Sequence, residues 1–139
     1  MQQAMHHLCV ETKGKGLFEF TQAVNAWLAA QQIRTGLLTL FCRHTSASLL
    51  IQENADPDVQ TDLLSFFETI VPEGKSLYVH DTEGLDDMPA HIRAALTQVQ
   101  LSIPVENQRM VLGTWQGLYL FEHRSHPHRR DVVLHLLGE

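Results

Sequence analysis

The chain has 139 residues, 44% of them apolar and 19% charged, and carries a formal charge of −6. That length suffices to bury about two-thirds of the surface the unfolded chain exposes, which predicts one domain spanning 1–139 that needs no cofactor to fold. The acidic balance argues against nonspecific binding to nucleic acid or an anionic membrane and leaves small molecules or protein as partners.

Taken in order, Met1–His7 lacks the apolar stretch of a leader, and no segment approaches the roughly twenty apolar residues of a membrane span. With only Cys9 and Cys42, and no CxxC spacing, a cytoplasmic protein with reduced thiols is expected. His6–Thr12 alternates weakly ahead of Lys13-Gly14-Lys15-Gly16, which predicts an opening strand and a turn. Over Glu19–Gln31, Phe20, Val24, Trp27 and Leu28 recur at helical spacing. Leu37–Cys42 is a continuous apolar run of strand length.

Arg43-His44-Thr45-Ser46-Ala47-Ser48 follows, with Leu49-Leu50-Ile51 beyond it. Hydroxyls and an imidazole between buried strands are costly unless paired, so this is either a site or a hydrogen-bonded corner. No G-x-S-x-G elbow surrounds Ser46 or Ser48, and His44 lies too near along one strand to act as their base, which argues against a serine hydrolase. Asp56 and Pro57 open the next helix, with Val59, Leu63, Phe67 and Ile70 on its inner face and Asp58 and Asp62 outside. Leu77-Tyr78-Val79 predicts a short strand leading into His80–His91, where four carboxylates and two imidazoles occupy twelve residues.

Within that stretch, Asp87-Met88-Pro89 reads as a helix N-cap with proline in the first turn. The four-residue spacing from Asp87 to His91 puts both on one helical face, where a carboxylate can orient an imidazole or share a metal with it. A capping aspartate beside a partly buried histidine is the equal alternative. Ser102–Val105 and Met110–Leu112 flank a turn at Glu106–Arg109, with Pro104 implying an edge position. Gly113–Gly117 interrupts the chain before the strand Leu118–Arg124, on which His123 shares a face with Tyr119 and Phe121, and Glu122 with Arg124. The basic run Arg124–Arg130 is either a phosphate receiver or a solvated turn, and Asp131–Leu137 predicts a closing strand.

The polar clusters around His44, His80–His91 and Glu122–Arg124 each end an apolar element, so convergence on one pocket is the economical arrangement. Imidazoles with a carboxylate are the ligand set expected of zinc, and an open metal position would polarise a phosphate or activate water. His44, His91 and His123 are the first choice of ligands. His80, with Asp87 behind it or as a fourth ligand, is the alternative.

His44-Thr45-Ser46-Ala47-Ser48, Glu53-Asn54-Ala55-Asp56-Pro57, His80 with Glu83-Gly84, Asp86–Ile92, Gly113-Thr114-Trp115-Gln116-Gly117 and Glu122-His123-Arg124 resemble, in that order, the motifs of the YjbQ, or secondary thiamine-phosphate synthase, family. The similarity runs from about Leu37 to Gly138; the family often has glycine where this chain has Gln108. The resemblance implies an α+β domain, an antiparallel β-sandwich with about three helices, assembled as a homotrimer around a histidine pocket. It further implies a low activity that joins hydroxymethylpyrimidine diphosphate to thiazole phosphate with loss of pyrophosphate, and hence a phosphorylated small-molecule partner. For that chemistry Arg124 and a divalent metal, zinc or magnesium, would hold phosphate, Asp87 or Glu83 would offset the cationic centre, and Ser46 or Ser48 would donate hydrogen bonds. A metal-dependent binding or damage-control protein with incidental synthase activity is the alternative, since no glycine-rich phosphate cradle is present.

Overall fold

The computed structural model describes residues 1–139. Along the chain run β1 (Gln2–Glu11), β2 (Gly16–Glu19), α1 (Thr21–Ala29), β3 (Gly36–Cys42), β4 (Ala47–Glu53), α2 (Pro57–Ile70), α3 (Asp87–Leu96), β5 (Gln100–Glu106), β6 (Arg109–Met110), β7 (Gln116–Glu122) and β8 (Arg129–Gly138). The fold is α+β. Two antiparallel sheets, β1-β8-β3-β5-β6 and β2-β7-β4, face each other as a sandwich, in agreement with the expected class.

Alternation decides which side chains enter the core. Leu38 and Leu40 of β3, Leu101 and Ile103 of β5, and Val132, Leu134 and Leu136 of β8 point inward from the larger sheet. Leu49, Leu118 and Leu120 meet them from the smaller one, and α1 adds Val24 and Leu28 to the same cluster of 19 buried residues. The opposite face of β7 is also covered, which is why nearly the whole strand is buried. Phe67 of α2 stands edge-on to Phe121, ring centroids 5.2 Å apart, and α3 closes over His123 and Ser48 through Thr97. No helix is long and apolar enough to cross a membrane.

A buried ion pair joins the two layers at one end. Glu122 and Arg130 each lie in phase with the apolar inner residues of their strands and are almost without solvent contact. Arg130 Nε donates to Glu122 Oε1 at 2.8 Å, and its Nη2 donates to Oε2. Thr12 Oγ1 adds a bond of 2.7 Å to Oε1, and the amides of His123 and Arg124 donate to Oε2 at 3.1 and 3.3 Å. Burial alone would raise the Glu122 carboxyl, but Arg130 and Thr12 outweigh it and hold the group below the usual carboxylate range. Removing one partner of such a pair strands the other, at a cost of about 3–5 kcal/mol.

Several elements differ from the sequence expectations, each for a tertiary reason. β1 begins at Gln2 instead of His6 because all ten residues pair with β8, from Gln2 opposite Gly138 to Glu11 opposite Arg129. Leu77–Val79 forms no strand: Val79 is wholly exposed, and the Tyr78 hydroxyl ties the loop to the Pro72 carbonyl at 2.6 Å. Asp87 is the first helical residue of α3 and not its cap; Asp86 precedes it without a side-chain capping bond. Asp56, by contrast, caps α2 as expected, accepting from the Asp58 amide at 2.9 Å with Pro57 at the first helical position. The β5–β6 hairpin turns through Asn107 and Gln108 at φ 52° and 61°, the left-handed region a two-residue turn of this hand requires. Gln108 offsets that strain by donating from its side chain to the Gln31 carbonyl.

Candidate metal centre

The loop between α2 and α3 has no regular structure, so its position depends on side chains. His80 comes from this loop, and Asp87 and His91 from successive turns of α3, whose period places them on one face. Their ligand atoms all lie within 4.8 Å of one another. His80 Nε2 is 2.8 Å and His91 Nε2 3.2 Å from the same oxygen, Asp87 Oδ2. His91 Nδ1 is 2.9 Å from the Thr45 carbonyl, to which it must donate, so its Nε2 presents a lone pair to Asp87. Two acceptors facing each other at that distance call for a cation, proton or metal, between them.

The other carboxylate oxygen is occupied. Arg124 Nη1 donates to Asp87 Oδ1 at 2.8 Å, Nε to Asp86 Oδ2 at 2.8 Å, and Nη2 to the Glu83 carbonyl at 3.0 Å. Burial would raise the Asp87 carboxyl, but the His80 hydrogen bond, a proton shared with His91 and the charge of Arg124 outweigh it and hold it below its ordinary value. Asp86 is also depressed, burial being outweighed by Arg124 and by the Ser125 amide. A deprotonated carboxylate and two imidazoles suit a borderline-soft ion. Ligand atoms stand about 3.3 Å apart when bonds of roughly 2.0–2.1 Å point to the corners of a tetrahedron, so the His91 contact already fits. His80, half exposed on its loop, stands closer to Asp87 Oδ2 than that spacing, at 2.8 Å.

Cavities open on both sides of this cluster. His91 lines one of about 1120 Å³, together with Arg43, His44, Ser46, Thr97 and Arg130. His80 lines a smaller one of about 380 Å³, beside Ser76, Asp81 and Met88. His91 thus borders one space and His80 the other, while Asp87 lines neither.

The family model described as UPF0047 protein YjbQ-like matches residues 6–139. The chain belongs to the YjbQ/UPF0047 family. It is 54% identical to the UPF0047 protein sll1880 of Synechocystis over 99% of this chain and 94% of that protein. It is 41% identical to the UPF0047 protein YjbQ of Salmonella typhimurium over 95% of this chain and 96% of that one. Among solved structures, the conserved hypothetical protein TT1486 of Thermus thermophilus superposes with a TM-score of 0.84 at 36% identity, covering 95% of this chain and 99% of that chain. A YjbQ/UPF0047 protein of Clostridium acetobutylicum does so with a TM-score of 0.85 at 32% identity, covering 95% and 99%.

In this YjbQ-family chain the expected ligands divide. His91 and His80 meet at Asp87, whereas His44 and His123 stand outside the cluster. His44 Nε2 accepts the Asp131 amide at 2.8 Å, so its lone pair is used by the backbone and the ring is a poor ligand. His123 is buried, with Nε2 2.9 Å from Ser48 Oγ and its ring 4.3 Å from that of Phe121. Ser48 accepts in turn from Thr97 Oγ1 at 2.6 Å and is itself fully buried, away from either cavity. Ser46 reaches the larger cavity. Glu83 is exposed and meets Arg124 only through its carbonyl, and Arg124 itself binds carboxylates, not an open phosphate site.

Sequence reasoning included Arg130 only in the basic run Arg124–Arg130 and did not place it on the wall of the larger cavity. The signal was its phase: in β8 it alternates with Val132, Leu134 and Leu136, but a strand begun at Asp131 leaves it in the preceding turn.

Burial, then the charge of Arg93, lowers the His123 imidazole from 6.5 to about 3. Between those values the unfolded chain takes up a proton that the folded one refuses, so the contribution of this residue falls as pH falls. Its expected size is about 1.4 kcal/mol per pH unit. Chemical denaturation of wild type and His123→Gln from pH 7 to 4 should show the variant with the shallower dependence; parallel curves would contradict a buried neutral His123.

Proposed function

We propose that this chain holds a divalent cation on His80, Asp87 and His91 and uses it in slow thiamine-phosphate synthase chemistry. The carrying observation is a single carboxylate oxygen, Asp87 Oδ2, faced by two imidazole nitrogens at 2.8 and 3.2 Å. The reaction itself is drawn from the family resemblance. Two nitrogens and one oxygen favour zinc or a similar first-row ion over magnesium, which prefers oxygen ligands. Three protein ligands leave a position for substrate or water.

In the reaction the thiazole nitrogen forms a C–N bond to the pyrimidine methylene as the C–O bond to diphosphate breaks, its electron pair leaving on pyrophosphate. A cation bound here supplies positive charge to the phosphate oxygens. The chain's own groups orient and balance. Thr45 and Arg124 fix His91 and Asp87. Glu83, exposed on the same loop, offers a carboxylate toward the cationic centre. Ser46 Oγ accepts from Arg130 Nη2 at 3.1 Å and keeps its own proton to donate. Arg124 is already committed to Asp86 and Asp87, so the substrate phosphate must be met by other donors.

A second reading, a metal-dependent binding or damage-control protein with incidental synthase activity, has its own support. Asp86 Oδ2 is taken by Arg124 at 2.8 Å and the Ser125 amide at 2.9 Å, so Asp86-Asp87 does not offer the paired carboxylates by which a dedicated diphosphate enzyme would hold magnesium. Thiamine phosphate formed per active site, with defined metal, separates the readings. His91→Ala and Asp87→Asn should each lose more than about tenfold. Unchanged turnover in both would contradict catalysis at this centre, and wild-type turnover too slow for a cell's thiamine need would favour the second reading.

The homotrimer is likewise a proposal. It is supported by Met5, Leu37, Phe41 and Leu137, which stand exposed on the outer face of the five-stranded sheet and would be covered by another copy. Sedimentation equilibrium should give about three times the 15.8 kDa chain mass, and a monomer at micromolar concentration would contradict it.

A further inference from the structure

The larger cavity contains two hydrogen-bond donors that face each other with no acceptor between them. The Asp131 amide donates to His44 Nε2 at 2.8 Å, and an imidazole nitrogen that accepts carries no proton. Burial and the neighbouring Arg130 also depress the His44 imidazole below its ordinary value, consistent with a neutral ring. The single ring proton therefore sits on Nδ1. That atom lies 3.4 Å from Arg130 Nη1, which can only donate. The contact is thus a pair of N–H groups and not a hydrogen bond. Close by, Ser46 Oγ accepts from Nη2 of the same guanidinium at 3.1 Å, which leaves the hydroxyl proton free to donate.

Two donors from one segment, His44 and Ser46, thus stand beside the tip of a guanidinium from β8, and that guanidinium is held rigid. Its Nε and Nη2 are fixed by the fully buried Glu122 behind it, so only the Nη1 side is available. The cavity they border is lined by two arginines, two histidines and no carboxylate, in a chain of net charge −6. Its remaining wall includes apolar surface from Ala94, Ala95 and Val99. Such a space suits a molecule with a flat or apolar body and an anionic end.

We infer that His44 Nδ1–H, Arg130 Nη1–H and Ser46 Oγ–H form an oxyanion subsite that receives the phosphate group of a phosphorylated small molecule. Three N–H and O–H donors from separate directions match the several oxygens of a phosphate. His91, on the wall of the same cavity, places this subsite beside the candidate metal centre, so a substrate anchored here extends toward Asp87. The subsite rests on the reading above that the substrate is phosphorylated, though not on the presence of a metal. It also answers which group replaces Arg124 as the receiver of phosphate.

The test is a titration of inorganic phosphate into the full chain, purified without a histidine tag, in metal-stripped and zinc-loaded forms. Proton–nitrogen NMR of the imidazoles reports the His44 tautomer and its response in wild-type protein, without recourse to a variant. A protected Nδ1–H resonance of His44 that shifts saturably with phosphate in both forms is expected. Calorimetry should show His44→Phe binding phosphate about tenfold or more weakly, the loss of a bond to a charged group. A His44 proton on Nε2, the absence of saturable binding, or acetate competing as well as phosphate would each overturn the subsite. Phosphate binding that requires zinc and ignores His44 would overturn it and leave the metal reading standing. Binding at His44 by protein that takes up no metal would support the subsite and contradict the metal reading.

Discussion

The clamp of Arg124 on Asp86 and Asp87 is the contact on which the rest of the site depends. It ties the chain just past β7 to the first turn of α3 by two bonds of 2.8 Å, and by a third to the Glu83 carbonyl. Arg124 is partly exposed, so the energetic contribution of these pairs is moderate. Their geometric consequence is larger. The residues between α2 and α3 have no strand or helix to position them, and one guanidinium substitutes for that framework by gripping three points at the loop's end. With Oδ1 occupied, only Oδ2 of Asp87 is left for His80 and His91. With Asp86 committed as well, the helix starts without a side-chain cap, a local cost accepted at a site.

A second cation, this one buried, organises the other side. Arg130 and Glu122 close the end of the sandwich, Arg130 borders the larger cavity, and Glu122 lies one residue from the buried His123. The two arginines divide the labour: Arg124 shapes the carboxylate that faces the imidazoles, and Arg130 presents a fixed edge to the space where an anion fits. His91 touches both regions, bonded to Asp87 and lining the cavity, and is therefore the natural meeting point of metal and substrate in the proposed chemistry. Family membership alone does not supply that chemistry. The relatives align over nearly their whole length, and fold does not dictate reaction, so the atoms of the site carry the metal centre and the proposed reaction is drawn from the resemblance alone.

Much of the architecture was legible. Strict alternation in β8 and the continuous apolar run of β3 announced their strands, and Asp56-Pro57 announced α2, because each signal is local. The i, i+4 relation of Asp87 and His91 was readable for the same reason. What was not legible depended on partners distant in sequence. The length of β1 is set by β8, the fate of Asp86 by Arg124, and the roles of His44 and His123 by an amide of Asp131 and a hydroxyl of Ser48. A histidine count cannot tell a lone pair aimed at a metal from one satisfied by the backbone. The charges in phase with buried faces, Glu122 and Arg130, were the overlooked clue, since each needs a partner of opposite sign in the interior.

The central claim is that His80, Asp87 and His91 together bind a divalent cation. Anomalous diffraction at the zinc edge, from crystals of untagged protein equilibrated with zinc, addresses it directly. The account predicts a peak within bonding distance of His80 Nε2, Asp87 Oδ2 and His91 Nε2. A map with no peak there, or with its strongest peak on His44 or His123, would contradict it.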